Sequence, residues 1–502
     1  MSAPLSAIGA TEPNRPAGAA VSNRFARWLC SGLMALWFAY LLIAPTLGID
    51  WIDSWHNEQR VLEIILLALT TLVLAATVRD PFFRRRLPRL HWTVYAVFAL
   101  GTASALRAPY LDAAFAELAL HLQLLVLVMM SAAMLAANPE RGVGLLQRCA
   151  LLLLAVYVAG VAVRYAAAFS IRRPLDLDVL LLGYANARFP SALHALLLPF
   201  VATLCLDPGE SRLLRRSAQV VLALTWAINL ALGTRAIWFA YLISFALLFP
   251  LMGRRRLWPL ARVMLYTSLA GVLIYFVLFK FLPSWSGIGE TFTERTLDKL
   301  AWGTNRELLL RSSWEAMRSA PWLGLGPMQF AAIPQVWAAH PHNWILQLGC
   351  EWGLPALGLT LYGVISWLRK AVTFVRVDET AQSVHFLAPL VATLIALVYG
   401  LVDGNLVMPI SQCASVIVFG ALIGVMHAGG AAGDAPVLPQ HGLSAARSAI
   451  FMVILLASVV ELSWFAANTI ETAMASENMQ RIFPTHALWP RFWSDGLLPL
   501  NK

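Results

Sequence analysis

Apolar runs of about twenty residues recur along the chain, separated by short polar connections. They fall at roughly 28–49, 60–78, 90–107, 113–136, 143–169, 189–206, 216–233, 236–252, 260–282, 343–368, 384–402, 409–427 and 448–468. A helical run of that length crosses the hydrocarbon core of a bilayer. The repetition predicts an all-α polytopic membrane protein of about 12–13 transmembrane helices, the count depending on the last run, which carries Glu461. Residues 283–342 interrupt the pattern as one large hydrophilic loop, expected to be helical in part. Within it Thr304-Asn305-Arg306-Glu307 fits a capping box. A helix is expected from about 305 to 319, with Glu307, Arg311 and Glu315 on a solvated face. Arg306, Leu310, Ser313 and Met317 are expected to face the membrane body, and Pro321, Gly324 and Gly326 to end the helix. The chain thus divides into a disordered cytoplasmic N-terminus at 1–27, a transmembrane domain at 28–468 that includes the loop, and a C-terminal tail at 469–502. The start of the chain reads as an uncleaved first helix, because no small-residue cleavage site follows a short apolar segment.

Composition agrees with a membrane protein. The 502 residues are 59% hydrophobic and 13% charged, where a soluble domain carries about 25% charged residues. The net charge of +10 does not indicate nucleic acid, because the cations sit in short connections between spans. Arg79, Arg84, Arg85, Arg86 and Arg89; Arg141 and Arg148; Arg212, Arg215 and Arg216; Arg254, Arg255, Arg256 and Arg262; and Arg369, Lys370 and Arg376 occupy alternate connections. The positive-inside rule makes these cytoplasmic. The opposite connections hold Asp50, Asp53, Asp112, Asp176, Asp178 and Asp403. The five cysteines show neither disulfide nor metal spacing.

That orientation puts the polar features that the charge rule leaves unexplained on the outer side. His340-Pro341-His342-Asn343 closes the hydrophilic loop and opens an apolar run. Histidine exchanges protons near neutral pH. At the start of a helix the dipole disfavours imidazolium, and nearby arginines act in the same direction. A neutral imidazole is what a general base requires, so His342 is a candidate base; an interfacial histidine capping a helix is the plainer alternative. A zinc pair of His340 and His342 lacks a third ligand, and no metal or cofactor is expected. Arg188, Arg235 and Arg306 are each adjacent to a span or to the loop helix. Singly they read as snorkelling residues; together they suit an anionic lipid headgroup such as a polyprenyl pyrophosphate, which guanidinium binds bidentately. Asp403 either orients an arginine or terminates a span. Glu351, about two turns below His342 and costly if unpaired in a membrane, is expected to hydrogen-bond within the bundle and orient the site. Glu63, Glu117, His121 and His385 are expected to pack between helices with hydrogen-bond partners. A transporter would instead pair such groups at the midplane between inverted repeats, and no repeat is evident.

At these residues the chain resembles the O-antigen ligase and polymerase superfamily of bacterial inner-membrane glycosyltransferases. His340-Pro341-His342-Asn343, Leu346, Leu348, Glu351 and Gly353 match its H-x-H-N-x-x-L-x-x-x-x-E-x-G signature. Asn305-Arg306, Pro321 and Gly324-Leu325-Gly326 match its loop pattern, and Thr234-Arg235 its small-residue–Arg pair. Asn186-Ala187-Arg188-Phe189 and the stretch from Gly404 to Gln412 resemble further segments of some members. The resemblance spans roughly 180–425. It implies a multi-pass inner-membrane enzyme with its active site facing the periplasm. The donor would be an undecaprenyl-pyrophosphate-linked glycan and the acceptor the lipid A–core oligosaccharide, both met through membrane lipid. His342 would be catalytic, Arg188, Arg235, Arg306, His340 and Asn343 would bind substrate, Glu351 and Asp403 would support them, and no metal would take part. A repeat-unit polymerase and a protein O-oligosaccharyltransferase share the chemistry, and a lipid-linked glycan transporter belongs to another class.

Overall fold

A computed structural model describes residues 17–49, 52, 54–290, 306–333, 338–377, 386–429, 445–482 and 491–493. The chain is a bundle of helices: α1 (Ala17–Ile43), α2 (Trp55–Thr77), α3 (Trp92–Ala105), α4 (Leu111–Ala137), α5 (Pro139–Ser170), α6 (Arg188–Leu204), α7 (Arg212–Ala231), α8 (Ala236–Met252), α9 (Arg254–Tyr275), a lid helix α10 (Arg306–Ser319), α11 (Trp344–Trp352), α12 (Leu354–Val377), α13 (Leu387–Tyr399), α14 (Pro409–Ala428) and α15 (Ala445–Ile482). Among the described residues seven helices are long and apolar enough to cross a membrane, and α3, α6, α8 and α13 are shorter apolar helices. This is an all-α polytopic membrane protein.

Local sequence explains where the helices begin and how closely they approach. Asn138 caps α5 through Arg141 N (3.1 Å) ahead of Pro139, and Ser211 caps α7 through Leu214 N (3.2 Å). The core pair is α4 against α14, where Gly420 and Gly424 stand one turn apart. A Cβ at Gly420 would lie 2.7 Å from the Val128 carbonyl, and one at Gly424 2.5 Å from that of Ala132. Small residues at four-residue spacing let two backbones meet where lipid offers no hydrophobic drive. Two of the arginine-rich connections contact neighbouring ones: Arg148 pairs with Glu210, and His427 Nε2 lies 3.3 Å from the Arg85 carbonyl.

Three expectations change. Helix α1 starts at Ala17, so the stretch from there to residue 27 is helical rather than disordered; residues 1–16 lie outside the described residues, as do Thr304 and Asn305 of the capping box and His385. On α10 the buried stripe is Leu309, Ser313, Ala316 and Met317, while Leu310 is exposed. The solvated face is as expected, with Arg311 bonded to Glu315 at 2.8 Å. The apolar run 343–368 is two helices rather than one, broken at Gly353, whose φ is +88°.

That break explains the spacing of the loop motif. The segment after the lid helix runs into the gap: Leu325 N donates to Cys350 O (2.8 Å), Gly326 N to Glu351 O (2.9 Å) and Leu354 N to Pro321 O (2.8 Å). The carbonyls that a helix end leaves unpaired are thereby satisfied. A Cβ at Gly324 would sit 2.4 Å from Glu351 O, and one at Gly353 2.3 Å from Trp322 O. Both glycines are required by this close approach and by their positive φ.

Candidate active site

The loop that carries the two histidines is docked on the loop between α13 and α14. Asn343 N-caps α11, its Oδ1 accepting from Ile345 N (3.0 Å) and Leu346 N (3.1 Å), while its Nδ2 donates to Leu401 O (3.0 Å). Trp344 N donates to Gly400 O and Trp344 Nε1 to Leu397 O, both at 3.0 Å. Both ends of the Asn343 amide are engaged, so its side chain holds the loop. His340 lies beneath the loop. It is 2% exposed, its Nδ1 accepts the His342 N–H at 3.2 Å, and its ring lies edge-to-face beneath His342 at 4.1 Å. Gly404 makes room for it, since a Cβ there would lie 2.5 Å from His340 Cε1. Burial first, then the charges of His342, Arg491 and Arg188, hold the His340 imidazole well below its ordinary range.

His342 has a φ of +54°, uncommon outside glycine. This turn sets its ring beside Asp403, with Nδ1 3.7 Å from Asp403 Oδ1. Asp403 is 7% exposed, accepts from Gly404 N at 2.8 Å and has Arg188 Nε 3.9 Å from its other oxygen. Burial works to raise the Asp403 carboxyl, but His342, Arg188 and the Gly404 amide outweigh it and hold the group below the usual carboxylate range. Asp403 is therefore more than a span terminator: it lies between the candidate base and an arginine.

The arginines arrive from three helix N-termini. Arg188 opens α6 and Arg235 stands at the N-cap of α8. These two helix ends are stitched together by Ser191 and Thr234, whose hydroxyls are 2.6 Å apart. Arg306 opens the lid helix and donates to Val402 O at 3.2 Å, one residue before Asp403. Burial, Arg188 and Arg235 push the Arg306 guanidinium down, with Asp403 acting in the opposite sense. Arg306 thus lies within electrostatic reach of Arg188, Arg235 and Asp403. Arg188 is 40% exposed and Arg235 is exposed, with no side-chain hydrogen bond to Arg235 among the described residues. Such a site can hold a multivalent anion beside an imidazole.

Glu351 lies deeper and is fully buried. Its Oε1 accepts Phe330 N at 2.9 Å and its Oε2 accepts Arg491 Nη2 at 2.6 Å. Glu117 shares Arg491, Glu63 pairs with Arg60 at 2.5 Å, and His121 Nδ1 lies 2.8 Å from Glu117 O. Sequence reasoning passed over two elements here. The run His56-Asn57-Glu58-Gln59-Arg60 is no more than 3% exposed at any residue; five polar residues entering an apolar span were its signal. Arg491, alone in a tail, carried none. Among the described residues no three His, Cys, Asp or Glu side chains gather as metal ligands would.

Residues 220–361 match the family described as O-antigen ligase. The matched stretch contains Arg235, Arg306, His342 and Glu351, while Arg188, Asp403 and Arg491 lie outside it. No curated protein matches the chain.

Proposed function

We propose that this chain, a member of the O-antigen ligase superfamily and so a glycosyltransferase of the ligase or polymerase type, moves a glycan from undecaprenyl pyrophosphate to the lipid A–core oligosaccharide at the periplasmic face of the inner membrane. The observation that supports this best is the meeting of Arg188, Arg235 and Arg306 around Asp403 and His342. Asp403 faces His342 Nδ1, which leaves Nε2 to take the proton from the acceptor hydroxyl. That oxygen attacks the anomeric carbon, the bond from this carbon to the pyrophosphate oxygen breaks, and undecaprenyl pyrophosphate leaves. The arginines hold the pyrophosphate and stabilise the charge that grows on it as the bond breaks. Pyrophosphate is a good leaving group, so the scheme has no need of the carboxylate pair used in glycoside hydrolysis. The 3.7 Å gap from His342 to Asp403 is expected to shorten when substrate fills the pocket.

In proteoliposomes supplied with the lipid-linked donor and lipid A–core, His342→Ala is expected to lower transfer by about 10²–10⁴-fold. Full transfer by that variant would remove the base. The acceptor is tested in the same assay: product formed only on the growing glycan, or only on protein, would redirect the reading to a polymerase or a protein glycosyltransferase.

A further inference from the structure

A second cluster of charge lies inside the bundle, on residues that the transfer scheme does not use. Arg491 belongs to the segment Arg491–Trp493, beyond α15, and is 2% exposed. Its Nη2 donates to both oxygens of Glu117 (2.9 and 2.8 Å) on α4 and to Glu351 (2.6 Å) on α11. Its Nη1 donates to the Ala339 carbonyl at 2.8 Å, the peptide immediately before His340. The segment is gripped from its other side. Arg60 Nε donates to Phe492 O and Arg60 Nη2 to Arg491 O, each at 3.0 Å, and Trp493 Nε1 donates to Thr469 at 2.8 Å.

These bonds do more than fasten the tail. Ala339 is three residues before His342, whose positive φ is an unfavourable conformation that its surroundings must maintain. Glu351 also takes the amide of Phe330, so the chain following the lid and the histidine loop depend on the same buried guanidinium. Arg491 itself touches neither His342 nor the three arginines of the pocket among the described hydrogen bonds and ion pairs.

We propose that Arg491 is a positioning residue for glycan transfer: bound to Glu117 and Glu351 and donating to Ala339, it fixes the loop that aims His342 at Asp403. The inference rests on the transfer reading for its effect on turnover. Through Arg491 the segment that follows the last long helix sets the alignment of the base.

Two variants test it. Arg491→Lys keeps the charge but loses the planar fork that reaches the carboxylates and Ala339 together. The combination Arg491→Met, Glu117→Gln and Glu351→Gln removes three buried charges at once, an exchange that buried ion clusters often tolerate, and removes the bond to Ala339. With each variant in proteoliposomes, kcat is expected to fall by about 10- to 100-fold, while KM for the donor stays within about twofold because the arginine pocket is untouched. Amides of residues 339–343 are expected to exchange with deuterium faster than in the unmodified protein. Unchanged kcat or unchanged exchange of that loop in either folded variant overturns the inference. So does failure of both variants to fold, which would make Arg491 a fastener only. His342→Ala is measured alongside. If that variant transfers normally, or the unmodified protein forms no product, the transfer reading fails, and the exchange comparison still decides whether Arg491 holds the loop.

Discussion

Two groups of arginine occupy neighbouring parts of the molecule and are used in opposite ways. Around Asp403, Arg188 approaches one carboxylate at 3.9 Å, Arg306 holds one carbonyl, and Arg235 bonds no side chain or carbonyl among the described residues. Deeper in the bundle, Arg60 and Arg491 face Glu63, Glu117 and Glu351, and their donors are spent on carboxylates and carbonyls. In the deeper group two guanidinium groups meet three carboxylates, so each buried cation has an anion beside it. The upper group sets three guanidinium groups against one carboxylate. Spent donors mark architecture, and three guanidinium groups sharing one carboxylate keep donors free, which is what the proposed anion site requires.

The largest effect that would separate the two groups is in stability. Glu117→Ala leaves the buried Arg491 guanidinium with Glu351 as its one carboxylate partner and is expected to destabilise the protein by about 1.5–3 kcal/mol, read as a lower unfolding temperature in detergent. Arg235→Ala should leave that temperature nearly unchanged and weaken binding of the lipid-linked donor about 10- to 100-fold; the double variant with Arg306→Ala should weaken it further. If Arg235→Ala destabilised the fold as Glu117→Ala does, or bound donor normally, the contrast between the groups would fail. Asp403→Asn keeps the shape and removes the charge facing His342, and is expected to lower kcat by up to about 10²-fold with a smaller change in KM. The smallest effect is on pH. His340 is held well below its ordinary value, so between about pH 6.5 and the lowered folded value the unfolded chain binds a proton that the folded one does not. Stability should therefore fall as pH drops through about 6.5, by no more than about 1.4 kcal/mol per pH unit for this group. His340→Gln should flatten that part of a melting curve series between pH 7 and pH 5.

The pattern of apolar runs made the bundle legible, because a bilayer imposes one length and one polarity on every crossing. It missed the interruption at Gly353, because a break inside protein leaves hydropathy unchanged while loop amides satisfy the freed carbonyls. His342 and the arginines were visible as residues of the wrong polarity on the less cationic side. That they act together was expected, but the contacts that hold the helix ends in place, such as Ser191–Thr234, were not visible. The burial of His340 and the capping role of Asn343 were not visible for a related reason: adjacency to a reactive residue in sequence does not say which side chain faces outward and which supports it from beneath. Arg491 was out of reach because its partners lie 140 and 374 residues away.

Helix α13 ends just below Asp403 and is 13 residues long. At 1.5 Å per residue it measures about 20 Å, against roughly 30 Å for the oily interior of a bilayer. The missing height is made up at one end or the other by loop, by thinned lipid or by water. With the shortfall at the Asp403 end, the pocket would lie below the level of the surrounding headgroups, and on the proposed transfer reading the lipid-linked sugar would meet its acceptor in that depression.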